Sequence, residues 1–313
     1  MLSRIADSLY WLDRYLERTD GILRILRTEY VLGLDKNSNE FMSWRPALEI
    51  FCHLDEEKMK ELQGDTTATL RFFITDTENA NSMKVLLTRA RENARGAQDH
   101  ITKEVWEQVN ALYHFVHSPK LEKKLASDQP LALLDTMTEM VTLYNGVTHS
   151  TMPRSAGWSF MNLGKYTERG LITLELSGLY LNEIGYDLND DKDILHWRSL
   201  LLSLSGYELH LKTYRTSHHT RNVADQVLFN REFTRSIRYT LHKIRHYMRD
   251  VLSSNHTPEK DRLALIFGRL YSKLEYADTA LVAETGVDKF MEDIRLDLLQ
   301  FNKLLTQIFF SYS

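Results

Sequence analysis

DRYLERTDGILRIL, residues 13–26, and GKYTERGLITLEL, residues 164–176, share the pattern Tyr-x-Glu-Arg followed by an apolar run. Around the first copy, apolar residues between Ile5 and Tyr30 recur at steps of three and four, with one gap of seven. That spacing predicts a long amphipathic helix with one buried stripe. Ser3 can cap its start and Gly33 can end it. The fold therefore begins with a helix, and a similar helix is expected near the middle of the chain.

The composition favours helices throughout. Only 13 glycines and five prolines occur in 313 residues, and both residue types disfavour helix interiors. Hydrophobic residues make up 43% and charged residues 26%, the balance of a soluble globular protein. We predict an all-α fold, a large multi-helix bundle. The predicted helices are 3–33, one beginning near Pro46, Thr66–Phe73, 81–100, 101–117, 130–144, 156–182, 192–215, 222–252, 258–280 and 287–311.

Charge and cysteine content exclude several classes of protein. The net charge of −4 gives no general attraction to nucleic acid or to anionic membranes. Cys52 is the only cysteine, so no intrachain disulfide can form, and we expect a buried thiol within an apolar helix. No apolar run has the length of a membrane span, and the charged N-terminal segment lacks the core of a signal peptide. These features predict a cytoplasmic protein without membrane contact.

The two quoted stretches belong to a longer internal repeat. SRIADSLYWLDRYLER matches PRSAGWSFMNLGKYTER, Trp44-Arg45 matches Trp197-Arg198, and residues 73–95 match 227–249. The three matching segments occur in the same order in both halves. The difference in residue number between matched positions increases from 150 to 154, as small insertions would produce. We predict one domain over 1–313, built from two tandem pseudo-symmetric helical halves, about 1–117 and 151–313, joined by a loop and helix at 118–150.

Arginine and glutamate side chains are the candidate site. Helical geometry puts Glu17 on the flank of the apolar stripe and Arg14 and Arg18 on the far side. In TRARENARG, Arg91 stacks on Arg95, and if both face the Glu17 helix they can form bidentate carboxylate pairs. One interpretation is an Arg–Glu lattice that fixes helix register. The other is a set of guanidinium forks that bind a carboxylate or a phosphate.

Other chemistry is weakly indicated. His242 and His246 stand four residues apart in HKIRH, a spacing that can bind zinc, but no further ligand completes a set and a solvated basic face is expected. The sequence contains no P-loop, no Gly-x-Gly-x-x-Gly, no Gly-x-Ser-x-Gly and no Cys-x-x-Cys. We predict no metal site and no cofactor.

The N-terminal segment, TRARENARG and PRSAGWSFMNLGKYTER together resemble the bacterial alpha-E domain family over the full chain. The resemblance implies that the protein has two partners, a circularly permuted ATP-grasp protein and a transglutaminase-like cysteine peptidase. It also implies a role in ATP-dependent amide or peptide bond formation. This sequence departs from the family pattern at Lys165, a position where arginine is common in the family. The implied ligand-binding residues are Arg4, Arg14, Arg18, Arg91, Asn93, Arg95, Arg154, Glu168 and Arg169, and Glu17 and Glu92 are the candidate catalytic residues.

Three functions follow as expectations. The first is an accessory subunit of an ATP-grasp amidoligase system that binds a carboxylate-bearing or peptide ligand, or the partner protein, through the Arg/Glu cluster. The second is an enzyme in its own right that uses Glu17 or Glu92 as acid or base. The third is a structural adaptor in which the paired motifs only register helices. Of the two halves, the first carries the fuller set of arginines and is the better candidate for a site.

Overall fold

The computed structural model describes residues 2–35, 44–125, 130–253 and 257–310. Within these ranges the chain forms sixteen α-helices, one 3-10 turn at Gln98–His100 and no strand, which confirms the all-α prediction. The helices are α1 Ser3–Asp35, α2 Arg45–Phe51, α3 Glu56–Gly64, α4 Thr66–Ile74, α5 Met83–Gly96, α6 Lys103–Val116, α7 Lys120–Leu125, α8 Pro130–Thr151, α9 Ala156–Asn182, α10 Ile194–Ser203, α11 Tyr207–Thr213, α12 His219–Leu228, α13 Ile237–Leu252, α14 Pro258–Glu275, α15 Thr279–Thr285 and α16 Val287–Phe309. None of them is long and apolar enough to cross a membrane.

The helices group into two compact units. The N-terminal unit contains residues 11–154, and the C-terminal unit contains 1–10 together with 155–313. In the N-terminal unit α6 packs against both α5 and α8, and α4 contacts α3, α5 and α7. Val105, Val109 and Leu112 lie on the buried face of α6, at the spacing that an amphipathic helix requires.

Helix α9 is the centre of the C-terminal unit, and it packs against α13 and α16. Buried residues, polar as well as apolar, cover nearly its whole circumference, as expected of a helix with neighbours on several sides. Gly170 permits the close approach, since a Cβ there would lie 3.1 Å from Leu298 Cδ2 and 3.2 Å from Thr240 Cγ2. The glycine directly after the second Tyr-x-Glu-Arg therefore sets the packing distance.

Several predicted helix boundaries were wrong. The predicted helix 192–215 is two helices, α10 and α11. The chain turns between them at Ser205, whose left-handed backbone conformation, with a φ of +56°, ends α10. The predicted helix 222–252 is interrupted by a loop at 229–236, where Asn230 accepts hydrogen bonds from two backbone N–H groups. Helix α14 ends at Glu275 rather than near 280, α8 continues to Thr151, and the helix Glu56–Gly64 was not predicted.

Cys52 follows helix α2 instead of lying inside a helix, and it is half-buried. Its environment is nevertheless apolar enough that burial raises the pKa of the thiol to about 12. The thiol is therefore protonated at neutral pH and a poor nucleophile.

The loops that precede α5 and α13 contain matching hydrogen bonds at positions 154 residues apart. Asp76 Oδ1 and Asn230 Oδ1 each accept the backbone N–H two residues later. Ser82 and Ser236 each cap the following helix by accepting the N–H three residues on. The tandem duplication stays a prediction, and these matching loops support it.

Gly206 is the position where the turn after α10 has no space for a side chain. Its φ of −107° is open to alanine, but a Cβ would lie 2.6 Å from Gln226 Nε2 and 2.8 Å from the Phe233 ring. Gln226 is fully buried and donates to the Gly206 carbonyl at 2.8 Å, so it cannot move away without losing that hydrogen bond.

We expect Gly206→Ala to lower the free energy of unfolding by about 1–3 kcal/mol, the usual cost of overpacking. Gly268→Ala is the matched control, because Gly268 lies in α14 with no atom within 4 Å of the added Cβ. The control should raise stability by about 0.5–1 kcal/mol through helix propensity. Urea unfolding followed by circular dichroism measures both, and equal shifts would contradict the steric argument.

His210 is a buried titratable group of α11, the helix that follows this turn. Its Nδ1 lies 2.8 Å from Gln226 Oε1, and because Gln226 Nε2 donates to Gly206, Nδ1 must carry the proton. The other nitrogen, Nε2, is buried without a hydrogen-bond partner in the described chain. Tyr214 stacks on the ring and His219 lies 6.1 Å away. Burial lowers the pKa of His210.

This lowered pKa predicts a pH-dependent stability. The unfolded chain protonates His210 near its ordinary pKa of 6.5, whereas the folded chain resists until a lower pH. Stability therefore falls as the pH drops below that value, with a slope approaching about 1.4 kcal/mol per pH unit. Urea titrations between about pH 8 and pH 5.5 test this. His210→Asn should remove the slope, and His246→Asn, at an exposed position of α13, should leave it unchanged.

Candidate functional site

The first Tyr-x-Glu-Arg lies in α1 and fastens that helix to a loop. Glu17 is 2% exposed. Arg18 Nη1 donates to Asn81 Oδ1 at 2.9 Å, and Asn81 Nδ2 donates in turn to the Phe51 carbonyl at 2.6 Å. Because Asn81 directly precedes the N-cap of α5, the arginine connects α1 with the start of α5 and the end of α2.

The second copy makes an equivalent connection in α9. Glu168 is buried, and Arg169 Nη1 lies 3.4 Å from the Thr234 carbonyl in the loop before α13. Thr173 Oγ1 donates to the next carbonyl of the same loop, that of Arg235, at 3.0 Å. The motif arginine of each unit thus binds the loop that starts the following arginine-bearing helix.

Helix α1 buries charged residues that the single apolar stripe did not predict. Arg14 was predicted on the far side of the helix, but it is 5% exposed, with its guanidinium 4.8 Å from the Trp11 ring centroid. Asp13 accepts a 2.5 Å hydrogen bond from the Tyr144 hydroxyl. Burial and the Asp13 charge raise the pKa of Tyr144 well above its ordinary value. The prediction failed because α1 is buried on more than one side.

The RENAR segment of α5 divides between an inward and an outward face. Arg91 does not face α1: its Nε donates to Asn110 Oδ1 of α6 at 2.6 Å, and its guanidinium lies 4.5 Å from the Tyr113 ring centroid. Asn93 donates to the Arg89 carbonyl within its own helix. Glu92 and Arg95 are exposed.

The remaining predicted residues lie at helix ends. Arg4 is exposed near the start of α1. Arg154 follows α8 and donates to the carbonyls of His149, at 2.5 Å, and Met152, at 3.2 Å, which satisfies acceptors that the end of a helix leaves open. The two candidate catalytic residues differ in exposure, because Glu17 is buried in α1 and Glu92 is on the surface of α5.

A cavity of about 410 Å³ lies in the C-terminal unit, and none of the predicted site residues lines it. Arg231, Arg238, Tyr239, His242, Lys243, Tyr271 and Glu275 line it. The sequence marked His242 only as half of a possible zinc pair with His246. The described chain contains no cluster of three potential metal ligands. The spacing of Tyr239, His242 and Lys243 could have indicated a polar face on one helix. The sequence did not indicate which residues of α14 face them across the cavity.

Relatives of the chain are uncharacterised proteins. One from Mycobacterium bovis is 21% identical over 285 residues, and one from Mycobacterium tuberculosis strain H37Rv is 20% identical over 285 residues. Each alignment covers 83% of this chain but 31% of the relative, so the chain spans about a third of their length. No solved structure matches the chain.

A family profile covers nearly all of the sequence. It describes a predicted alpha-helical domain with a conserved ER motif, and it matches residues 1–310. The chain contains the Glu-Arg pair twice, at Glu17-Arg18 and at Glu168-Arg169, in the two helices that fasten the loops described above. With its helical fold and its full-length match, the chain belongs to the Alpha-E family.

Proposed function

We propose that the chain is an accessory subunit of an ATP-grasp amidoligase-type system, and that the outward face of α5 contacts the partner protein or its carboxylate-bearing peptide. One observation carries this proposal. Arg89, Glu92 and Arg95 are exposed on one side of α5, and the described residues provide no ion pair to any of the three. Exposed charges of both signs suit recognition of a partner more than they suit stability.

The other arginines of the predicted cluster bind groups of the protein itself, which leaves fewer residues available for contact with a partner. Arg18 and Arg169 bind loops of their own units, and Arg91 binds Asn110 on α6. A guanidinium that is held in this way serves the fold, and its donors are directed inward. Within the predicted cluster, Glu92 and Arg95 are then the residues best placed to meet another molecule.

The length of the relatives supports a role beside other protein segments. In the mycobacterial proteins the matched region is 31% of the chain, so most of each relative lies outside the match. A helical domain that is covalently joined to further sequence in one protein is a reasonable partner of separate subunits in another. The ATP-grasp and transglutaminase-like proteins that the family resemblance implies are the partners we propose.

The structural role of Arg18 can be measured by a double-mutant cycle with Asn81. Arg18→Ala should lower the free energy of unfolding by about 1.5–3 kcal/mol, because a charged hydrogen bond is lost in a half-buried position. The coupling between Arg18→Ala and Asn81→Ala should reach at least about 0.5 kcal/mol. Arg95→Ala, at an exposed position, should stay within about 0.5 kcal/mol of the parent. A coupling near zero would argue against the α1–loop connection.

The docking surface can be tested by exchanging charges. The double variant Glu92→Arg/Arg95→Glu keeps the net charge but inverts the pattern on α5. We expect it to reduce co-purification with the ATP-grasp protein at least about tenfold. The matched control is Lys103→Glu/Glu107→Lys, which inverts an exposed ion pair on α6 and should leave co-purification intact.

Circular dichroism and the unfolding midpoint establish that both double variants fold. If the parent chain fails to co-purify with the ATP-grasp protein and does not alter ligation, the accessory role is wrong. If the parent binds and both variants bind equally well, the accessory role stands but the α5 surface is the wrong contact.

A further inference from the structure

The cavity in the C-terminal unit has two helical walls. Tyr239, His242 and Lys243 stand on one face of α13, and Tyr271 and Glu275 stand one turn apart on α14. Arg238 and Arg231 complete the lining. Its volume of about 410 Å³ falls within the range of small-molecule sites.

Positive charge exceeds negative charge in this lining. Three of the lining residues, Arg231, Arg238 and Lys243, are cations, and Glu275 is the one carboxylate among them. Glu275 is already shared, since its Oε1 lies 2.6 Å from Arg231 Nη2 and its Oε2 lies 3.5 Å from Arg238 Nε. The cations therefore keep an uncompensated charge that faces the cavity.

Arg238 is a fixed part of the wall. Its Nη2 donates to the carbonyls of Leu274, Glu275 and Ala277 at 2.9–3.1 Å, where α14 ends. Nη1 donates to the Phe229 carbonyl at 3.3 Å, and the buried Nε lies 3.5 Å from Glu275 Oε2. The groups left to meet a ligand are therefore the Lys243 ammonium, the exposed side of Arg231 and the His242 ring. Lys243 makes no ion pair with any described residue, and Arg231 is 71% exposed in its side chain.

Two tyrosine rings flank the same space. The Lys243 ammonium lies 5.2 Å from the Tyr239 ring centroid, and the Arg245 guanidinium lies 4.6 Å from the Tyr271 centroid. These cation–π contacts hold both rings at the cavity walls. The lining thus combines cationic donors with aromatic faces, the combination that binds a small organic anion.

A similar Arg–Tyr contact occurs in the N-terminal unit. Arg91 lies over Tyr113 as Arg245 lies over Tyr271, and His117 follows Tyr113 by four residues as Glu275 follows Tyr271. There the His117 ring stacks on Tyr113 with centroids 4.0 Å apart, and its Nε2 lies 3.4 Å from Thr88 Oγ1. In the C-terminal unit Glu275 lies 2.6 Å from Arg231 and 3.5 Å from Arg238, and it lines the cavity beside Tyr271.

We propose that this cavity binds a small organic anion that carries a phosphate or carboxylate group. Lys243, Arg231 and His242 contact the anionic group, and the Tyr239 and Tyr271 rings contact the rest of the molecule. Arg238 positions the wall without serving as a ligand contact. The proposal rests on the cavity alone and does not depend on a partner subunit.

Titration calorimetry with inorganic pyrophosphate and with citrate tests the site in the full chain. We expect at least one probe to bind with a Kd of about 1 mM or tighter at low salt. Arg231→Gln/Lys243→Gln should weaken that binding at least about fivefold. Arg269→Gln/Lys289→Gln removes the same charge from exposed positions outside the lining, and it should change the Kd less than about twofold.

Preference for pyrophosphate assigns the anion as phosphate, and preference for citrate assigns it as carboxylate. The single variant Lys243→Glu should abolish binding of either probe while circular dichroism remains that of the parent. The absence of binding by both probes would overturn the proposal. Equal losses of affinity in the cavity variant and the control variant would also overturn it, because they would show that binding depends only on the net charge of the protein. Neither result bears on the partner-binding face of α5.

Discussion

The anchoring of a motif arginine to a loop is the constraint on which the rest of each unit depends. A guanidinium that leaves water must find acceptors, and Arg18 finds the side chain of Asn81 while Arg169 finds the backbone of Thr234. Each contact fixes where the next long helix begins, since Ser82 and Ser236 cap α5 and α13 within two residues of the contact. From those starting points α5 packs against α6, and α13 packs against α14.

The matching loops and the matching Arg–Tyr stacks give the predicted duplication a physical meaning. A repeated segment keeps the contacts that set helix register, because those contacts are needed in each unit separately. It is free to change where register is not at stake. His117 and Glu275 illustrate such a difference: His117 packs on Tyr113, whereas Glu275 pairs with Arg231 in the wall of the cavity.

Local patterns predicted the helices well and their interactions poorly. Periodicity placed α1 and α9 because their apolar residues recur over many turns. It missed the break after α10, where Ser205 rather than a glycine adopts a positive φ. It also placed Arg14 outside, since one apolar stripe gives no sign of a second buried side. The cavity escaped prediction because its two walls are on separate helices, and the residues that matter on α14 have no motif of their own.

A signature that defines a family need not mark the place where the family acts. The Glu-Arg pairs of this chain lie in buried or half-buried positions, and their arginines donate to the protein itself. Substitution there would disturb the start of a long helix, which is a structural reason for the family's ER motif to be conserved. The two sites that we propose lie elsewhere, at the outward charges of α5 and at the cavity lined by residues of α13 and α14.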